Sequence, residues 1–389
     1  MVPDTPCSWS RAYPSYGEDM PMNGTTIRFG IVGCGFFGGE FARILHEMDG
    51  ASVIAVHGGS GKSAAAIAAE IGCEVVERLE SLAERGDIDA IVVTSPNHLH
   101  KEPVLQAARN GKHVFCEKPV ALSAEDCREM VEACRQSGVR FMAGHIMHFM
   151  KGIEQVKQWI EDGKIGRPIV LHSERTGWEE QRAEVSWKKN QLQSGGHLFH
   201  HIHELDFAIA VMGPAAAVYM AADNLAHRGP GFGDEDDVLL LTVHFENGGF
   251  GTLQFGSGFR WGEHYMKING TEGSIKIDFR QSLIELRSAG EAPQTIGLYG
   301  VPYDEERRQL YERMDGGVIY GDPQSRPPRF LQTVMKREMA YFCDVIGGRP
   351  IDEDKKLLFD GTAANRSVAT AEAALQAKQA RQAIPLRME

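Results

Sequence analysis

The chain has 389 residues, of which 42% are hydrophobic and 24% are charged, a composition typical of a globular protein with room for two domains. The formal net charge of −12 argues against nucleic acid as a partner, because nucleic-acid-binding proteins concentrate Lys and Arg. No apolar stretch approaches the roughly 20 residues that span a bilayer, so we expect no membrane partner either.

The seven cysteines are scattered and form no CxxC pair. Because this usage is typical of a reducing compartment, we expect a cytoplasmic protein without a disulfide framework or a thiolate zinc site. Residues 1–26 hold four prolines and no continuous apolar region, so they do not resemble a secretory signal. We interpret them as a flexible N-terminal tail, with Met20 or Met22 as an alternative start.

Residues 27–38 carry the pattern around which the chain is organised. A β-branched apolar run ends at Gly33-x-Gly35-x-x-Gly38 and is followed by a helix-like segment, Glu40–Met48. This order predicts the strand, tight turn and helix that open a dinucleotide-binding βαβ unit. Gly33 would permit the turn, Gly35 would let the backbone approach a pyrophosphate, and Gly38 would let the helix pack closely.

The next strand and helix are predicted over Ser52–Val56 and Lys62–Ile71. An Asp or Glu about 20 residues past the glycines would hold the 2′-hydroxyl of NAD, but this position falls in His57-Gly58-Gly59. With Ser60 and Lys62 close by and no carboxylate to repel a 2′-phosphate, NADP is slightly favoured over NAD. The alternative is a glycine turn that tolerates either cofactor.

Polar clusters follow two further predicted strands. The strand Asp89–Thr94 ends in Thr94-Ser95-Pro96-Asn97-His98-Leu99-His100, and the strand Val114–Cys116 ends in Glu117-Lys118-Pro119. Ligands bind at the carboxyl ends of the strands in open parallel sheets. We therefore favour a catalytic or nicotinamide-contacting role for Lys118 over a structural one.

The succession of GCGFFG, TSPNHLH and CEKP resembles the Gfo/Idh/MocA oxidoreductases over nearly all of residues 27–386. The resemblance implies a Rossmann domain (27–146), then an α+β domain (147–389) with a large open, mostly antiparallel sheet flanked by helices. It also implies a nicotinamide cofactor, a sugar or polyol substrate, and a place near the nicotinamide for Asn97, Glu117 and Lys118. The candidate cofactor-binding residues are Gly33, Gly35, Phe36, Phe37, Gly38, Gly58, Ser60, Lys62, Thr94, Ser95, Pro96, Asn97, His100, Glu117 and Lys118.

The second half of the chain predicts a helix at Gly152–Asp162 and a sheet of at least five strands. Residues 296–330 lack periodicity and are interpreted as a long loop that acts as a lid or a subunit contact. Two closing helices are predicted, at Pro328–Ile346 and Gly361–Arg381. The predicted strands are Ile169–Glu174, Val238–Phe245, Gly249–Ser257, Glu263–Asn269 and Ser274–Asp278.

A histidine-rich segment, 194–206, lies where the resemblance places an acidic residue and a catalytic histidine on one helix. Counting back from Asp206 puts His203 at the histidine position. Counting forward from Gly195-Gly196 puts His200 at the acidic position and Glu204 at the histidine position. We prefer His203 as the main acid/base group, with His200 on the same helical face.

A metal site is the alternative for this segment, because His197 and His201, like His200 and Glu204, have the i,i+4 spacing of ligands on a helix. A purely structural role is the third interpretation, and we prefer acid/base chemistry with no metal. The candidate substrate-contacting residues are His145, Trp187, His200 and His203.

These features predict an NAD(P)-dependent dehydrogenase or reductase that acts on a secondary alcohol or ketone of a sugar, glycoside or polyol. One alternative is a glycosidase-like enzyme that oxidises its substrate transiently without net redox change. Another is a non-catalytic cofactor-binding sensor. We also expect a homo-oligomer, a dimer or tetramer, formed through the C-terminal sheet.

Overall fold

The computed structural model describes residues 26–58, 61–314 and 326–386. Within these ranges the first half of the chain forms a six-stranded parallel sheet with the strand order β3-β2-β1-β4-β5-β6. Its central apolar strands β1 and β4, with β6, are buried on both faces, as the continuous hydrophobic runs of the sequence require. The strands are β1 (Ile27–Val32), β2 (Ala51–His57), β3 (Glu74–Val75), β4 (Ala90–Val93), β5 (His113–Glu117) and β6 (Phe141–Gly144).

Helices cover both faces of this sheet, which is the doubly wound arrangement expected from alternating strands and helices. The helix after β4 follows a 3₁₀ turn, Asn97–Leu99, that carries part of the predicted site. The helices are α1 (Phe36–Glu47), α2 (Lys62–Ile71), α3 (Leu79–Ala83), α4 (Lys101–Arg109) and α5 (Ala124–Gln136).

The second half builds a mixed sheet with the order β14-β13-β12-β11-β7-β10-β9-β8-β15 in the part of the chain that the structure describes. Only the β7–β10 pair is parallel among the described pairings of this sheet. The strands are β7 (Pro168–Thr176), β8 (Ala215–Asp223), β9 (Val238–Phe245), β10 (Phe250–Gly256), β11 (His264–Gly270), β12 (Gly273–Asp278), β13 (Leu283–Ser288), β14 (Gln294–Gly297) and β15 (Ile384–Pro385).

The later helices connect the second sheet to the first. The Phe342 ring of α11 lies 6.5 Å from the ring of Phe29 and 6.0 Å from that of Phe115, both on the parallel sheet. No helix among the described residues is long and apolar enough to cross a membrane. The helices are α6 (Lys151–Glu161), α7 (Gln191–Ser194), α8 (Gly196–His200), α9 (Ile202–Met212), α10 (Tyr303–Met314), α11 (Arg329–Ile346), α12 (Lys356–Phe359) and α13 (Thr362–Ala380).

The prediction of a long loop over 296–330 is wrong for the first half of that range, where α10 forms. This helix has little apolar periodicity, but its residues are good helix formers and three acidic residues stabilise its first turn. Residues 315–325 and the predicted tail, residues 1–25, lie outside the described residues.

The single helix expected for the histidine segment is also wrong. The segment breaks at His201, so α8 ends at His200 and α9 begins at Ile202. His200 and His203 therefore lie on different helices rather than on one helical face. Gly195 and Gly196 both adopt positive φ, which turns the chain between α7 and α8.

Candidate active site

A cavity of about 720 Å³ lies where the carboxyl edge of the parallel sheet meets the second sheet. Asn97 Nδ2 donates to the Ser194 carbonyl at 2.7 Å and fixes the two halves of its wall to each other. Ten predicted site residues line the cavity: Phe37, Thr94, Ser95, Asn97, His100, Glu117, Lys118, Trp187, His200 and His203. Eight further predicted site residues are described by the structure but do not line the cavity: Gly33, Gly35, Phe36, Gly38, Gly58, Lys62, Pro96 and His145.

The glycine turn between β1 and α1 fits a dinucleotide. Gly33 has φ +95°, and a Cβ there would meet the backbone nitrogen of Ser95 at 2.4 Å. A Cβ at Gly38 would meet the Gly33 carbonyl oxygen at 1.8 Å, so the helix packs directly on the turn. A Cβ at Gly35 would meet nothing within 4 Å, which leaves a cradle at the start of α1 that a pyrophosphate could fill.

The residues after β2, where the sequence predicts the ribose pocket, lie next to the glycine turn: a Cβ at Gly58 would lie 3.6 Å from the Cys34 backbone nitrogen. Gly58 follows His57, whose Nδ1 lies 2.9 Å from the Val76 carbonyl oxygen. Lys62 is exposed at the first position of α2, and Ser60 lies outside the described residues. Position 58 thus offers no carboxylate to a ribose 2′-hydroxyl or 2′-phosphate.

The segment after β4 both lines the cavity and holds its wall together. Thr94 Oγ1 donates to the Gly33 carbonyl at 2.6 Å and ties β4 to the glycine turn. The ring nitrogens of the buried His100 lie 2.9 Å from the Pro119 carbonyl oxygen and 2.7 Å from that of Ser95. His100 therefore holds the ends of β4 and β5 together.

Lys118 is the amine at the end of β5. Its Nζ donates to the His200 carbonyl at 3.4 Å, across the cavity from its own strand. Burial lowers the pKa of Lys118 to about 8, although the neighbouring Glu117 acts in the opposite direction. Burial also raises the pKa of Glu117. An amine that titrates close to neutrality can both accept and return a proton.

His203 lies in the first turn of α9, close to Lys118. Burial lowers its pKa well below the usual value, and the charge of Lys118 lowers it further, so the imidazole is a neutral base. Its ring centroid lies 6.3 Å from that of His145, whose Nδ1 is 3.4 Å from Asp206 Oδ2. Asp206 is also 2.8 Å from His148 Nε2, and burial raises its pKa to about 6. His145 thus lies behind His203 rather than in the wall of the cavity.

The ligand pairs of the alternative metal interpretation are not the ones that the structure brings together; a different trio is. Ligand atoms of His197, His200 and Glu235 all lie within 4.8 Å of one another. Glu235 Oε1 is also 2.7 Å from Lys189 Nζ, an ammonium that already balances this carboxylate. A divalent cation at the trio would have to compete with Lys189 for Glu235.

Glu204, the residue of the alternative register, is buried in an ion-pair network. Its Oε1 lies 3.0 Å from both Arg175 Nη1 and His264 Nε2. Burial alone would raise its pKa, but Arg175 and His264 outweigh that effect and lower the pKa to about 2. Glu204 is therefore a fixed anion that orients Arg175, and it is poorly suited to carry a proton.

The sequence argument missed much of the wall that the second sheet supplies. Arg175 ends β7, and the segment that follows it brings Trp178, Glu179, Lys188 and Lys189 to the cavity. The cluster of charged residues around two tryptophans could have indicated this wall. Its ion-pair partners Glu204 and Glu235, however, are distant in the sequence.

A glycine cradle on a doubly wound sheet, beside an enclosed cavity with a buried amine and a neutral imidazole, defines a dinucleotide-dependent oxidoreductase. Family models agree with this class. The model described as oxidoreductase family, NAD-binding Rossmann fold, matches residues 27–145, and that of the C-terminal alpha/beta domain matches residues 157–386. The chain belongs to the Gfo/Idh/MocA oxidoreductase family, which confirms the resemblance, the fold class and the enzymatic nature predicted from the sequence.

Among curated relatives, the chain is 43% identical to the 2,7-anhydro-N-acetylneuraminate hydratase of Mediterraneibacter gnavus, over 91% of this chain and 95% of that protein. It is also 43% identical to the hydratase of the same name from Escherichia coli K12, over 90% of this chain and 94% of that protein. Levoglucosan dehydrogenase in complex with NADH and levoglucosan has the same fold, with a TM-score of 0.76 and 20% identity over 94% of this chain and 100% of the other.

A matched glycine pair tests the cradle. Gly38→Ala should lower the free energy of unfolding by about 1–3 kcal/mol, because the new methyl collides with the Gly33 carbonyl. Gly35→Ala should leave stability nearly unchanged, since φ is −73° and the space is open, but should weaken NAD⁺ binding. Denaturant midpoints and calorimetric titration check both, and unchanged affinity in Gly35→Ala would contradict the cradle.

Lys118→Met tests the amine. The variant should lose about 10²-fold or more in kcat/KM, which is the scale of acid/base assistance, and remain folded. The wild-type kcat/KM should rise with pH through about 8 as Lys118 becomes a free amine, and the variant should lack this limb. If kcat/KM of Lys118→Met still rises with pH as in the wild type, the titration belongs to another group.

Proposed function

We propose that the protein is a dinucleotide-dependent hydratase that opens the internal ether bridge of 2,7-anhydro-N-acetylneuraminate, or a close analogue, by transient oxidation. Its product would be the free N-acetylated sialic acid, formed without net change in the cofactor. This is the transient-oxidation alternative left by the sequence, now preferred over net dehydrogenation.

The observation that carries the proposal is the presence in one cavity of a base for a hydroxyl and a separate base for a carbon acid. Lys118 titrates at about 8, and His203 is held neutral beside it. A simple alcohol dehydrogenase needs one proton carrier, whereas ring opening through a ketone needs more than one proton transfer. The 43% identity to two proteins named as hydratases of this anhydro sugar supports the same substrate.

The chemistry of the bridge explains why a hydratase needs a redox cofactor. The bridging oxygen leaves C2, and the C3 hydrogens are too weakly acidic to assist its departure. A ketone at C4 acidifies C3, so that loss of a C3 proton expels the oxygen and leaves a C2=C3 double bond. Water then adds at C2, a proton returns to C3, and reduction restores the C4 hydroxyl. The sum is one water added, with no electrons gained or lost.

Each proton step has a residue in the cavity. A nicotinamide dinucleotide held at the glycine turn between β1 and α1 would supply the acceptor and later the donor of the C4 hydride. Lys118 removes the C4 hydroxyl proton and later gives it back. His203 takes the C3 proton, and its imidazolium supplies a proton to the departing oxygen. Trp178 and Trp187 line the same cavity and offer apolar faces to the sugar ring.

The decisive experiment supplies the anhydro sugar with NAD⁺ and NADP⁺ in parallel, because the end of β2 presents Gly58 rather than a carboxylate. Product is followed by chromatography and reduced cofactor by absorbance. We expect free sialic acid to accumulate without a matching rise in reduced cofactor. In D₂O, deuterium should enter C3. Steady production of reduced cofactor without ring opening would show net dehydrogenation and overturn the proposal.

Two variants and a chelator separate the steps. Lys118→Met should suppress both oxidation and deuterium exchange. His203→Gln should still reduce the bound cofactor in a single turnover but should not open the ring or exchange C3. A metal chelator should leave wild-type turnover unchanged, since Lys189 already balances Glu235. Inactivation by the chelator would instead favour metal at the His197, His200 and Glu235 trio.

We also propose self-association through the second sheet. Four large side chains on one face of adjacent strands, Val170, Tyr219, Leu240 and Phe250, are 37–50% exposed. Such a patch is typical of a protein interface. Sedimentation should show a dimer or tetramer, and Leu240→Lys with Phe250→Lys should shift it toward monomer; a monomeric wild type would contradict this.

A further inference from the structure

The cavity carries the opposite charge balance to the whole protein. The chain has a formal net charge of −12. Among the described residues that line the cavity, six are cationic (Lys118, Arg175, Arg182, Lys188, Lys189, Arg307) and four are carboxylates (Glu117, Glu179, Glu180, Glu204). An acidic protein that concentrates cations in one cavity is arranged to receive an anion there.

Most of these cations already have partners. Arg175 pairs with Glu204 at 3.0 Å, and Lys189 lies 2.7 Å from both Glu179 and Glu235. Arg182 is 3.8 Å from Glu179. The Arg307 Nε donates to the Phe279 carbonyl at 2.7 Å. These contacts give Arg175, Lys189 and Arg307 internal partners, whereas the Arg182 side chain is 68% exposed and its contact is long.

Lys188 differs from all of them. Within the described ranges, no hydrogen bond or ion pair joins it to another residue, and burial is what lowers its pKa. Its charge also contributes to lowering the pKa values of Lys118 and His200, so it lies near the proposed reacting groups. A partly buried ammonium without a counterion is costly, which is an arrangement that a bound anion would relieve.

The backbone around Lys188 holds it in place. It lies in the 3₁₀ turn Trp187–Lys189, and the carbonyl of Lys189 accepts from the Asp234 backbone nitrogen at 3.1 Å. A Cβ at Gly233 would meet that same carbonyl oxygen at 2.0 Å, so the two segments are in close contact. With Lys189 held by backbone and side chain, the backbone of Lys188 is positioned before any ligand arrives.

We propose that Lys188 is the residue that binds the substrate's carboxylate and so makes the enzyme selective for acidic sugars over neutral ones. This inference rests on the proposed function for the identity of the sugar. In that substrate the carboxylate is attached to C2, the carbon from which the bridging oxygen departs. An ammonium at the carboxylate therefore orients the breaking bond relative to Lys118 and His203.

A charge-matched binding experiment tests the proposal without relying on turnover. Enzyme loaded with NADH, which cannot oxidise the sugar, is titrated calorimetrically with 2,7-anhydro-N-acetylneuraminate and with its methyl ester. Lys188→Gln should weaken binding of the acid by about 10-fold to 100-fold, the range for hydrogen bonds to charged groups. The wild type should bind the ester more weakly than the acid by about the same factor. Lys188→Gln should bind the acid and the ester with equal affinity.

Two control variants accompany this measurement. Lys188→Arg should retain most of the affinity, and Lys151→Gln, at an exposed lysine outside the cavity wall, should bind as the wild type does. Equal losses for acid and ester in Lys188→Gln, or no loss for the acid, would overturn the role of Lys188.

Failure of the proposed function gives a different pattern. If the wild type with oxidised cofactor does not open the anhydro sugar, yet binds it or N-acetylneuraminate in a Lys188-dependent way, the hydratase assignment falls and the carboxylate site stands. If turnover is normal and Lys188→Gln binds and turns over like the wild type, the carboxylate site falls and the hydratase stands. If neither acid binds the wild type, both are wrong.

Discussion

The removal of ionisable groups from water is the constraint on which the site depends. Burial is the largest cause of the pKa shifts of Lys118, Glu117 and His203, and it moves each group toward its neutral form. Because the three groups share one cavity, the charge of one also changes the proton affinity of the next. The same burial makes every unpaired charge expensive, so the remaining ionic groups have to be paired or reserved for a ligand.

The fold provides this environment by joining two sheets at one edge. The carboxyl ends of β4 and β5 supply Asn97 and Lys118, while the end of β7 and the start of α9 supply Arg175 and His203. Two hydrogen bonds link the two sides across the cavity: Asn97 donates to the Ser194 carbonyl, and Lys118 donates to the His200 carbonyl. The break at His201 separates His200, whose carbonyl accepts from Lys118, from His203, whose side chain lines the cavity.

Local patterns allowed the fold to be predicted well and the site in part. The glycine turn, the buried strands and the polar strand ends are each determined by residues a few positions apart, and Lys62–Ile71 and Val238–Phe245 form the predicted elements with the same bounds. The break at His201 could not be seen, because no glycine, proline or other residue of low helix propensity stands at that position. The roles of Glu204 and Glu235 depend on Arg175 and Lys189, whose proximity only the folded sheet reveals.

The arrangement of the cations explains how one cavity can serve both binding and proton transfer. Arg175 and Lys189 are neutralised by Glu204 and Glu235, so they add rigidity without attracting a substrate anion strongly. Lys118 loses part of its charge near neutral pH because its pKa is about 8, as a base must. Lys188 is left to carry an uncompensated charge close to the reacting groups. When a carboxylate neutralises Lys188, the electrostatic effect that lowers the pKa of Lys118 weakens, so substrate binding should raise the pKa of Lys118 and move the rise of turnover with pH to higher pH.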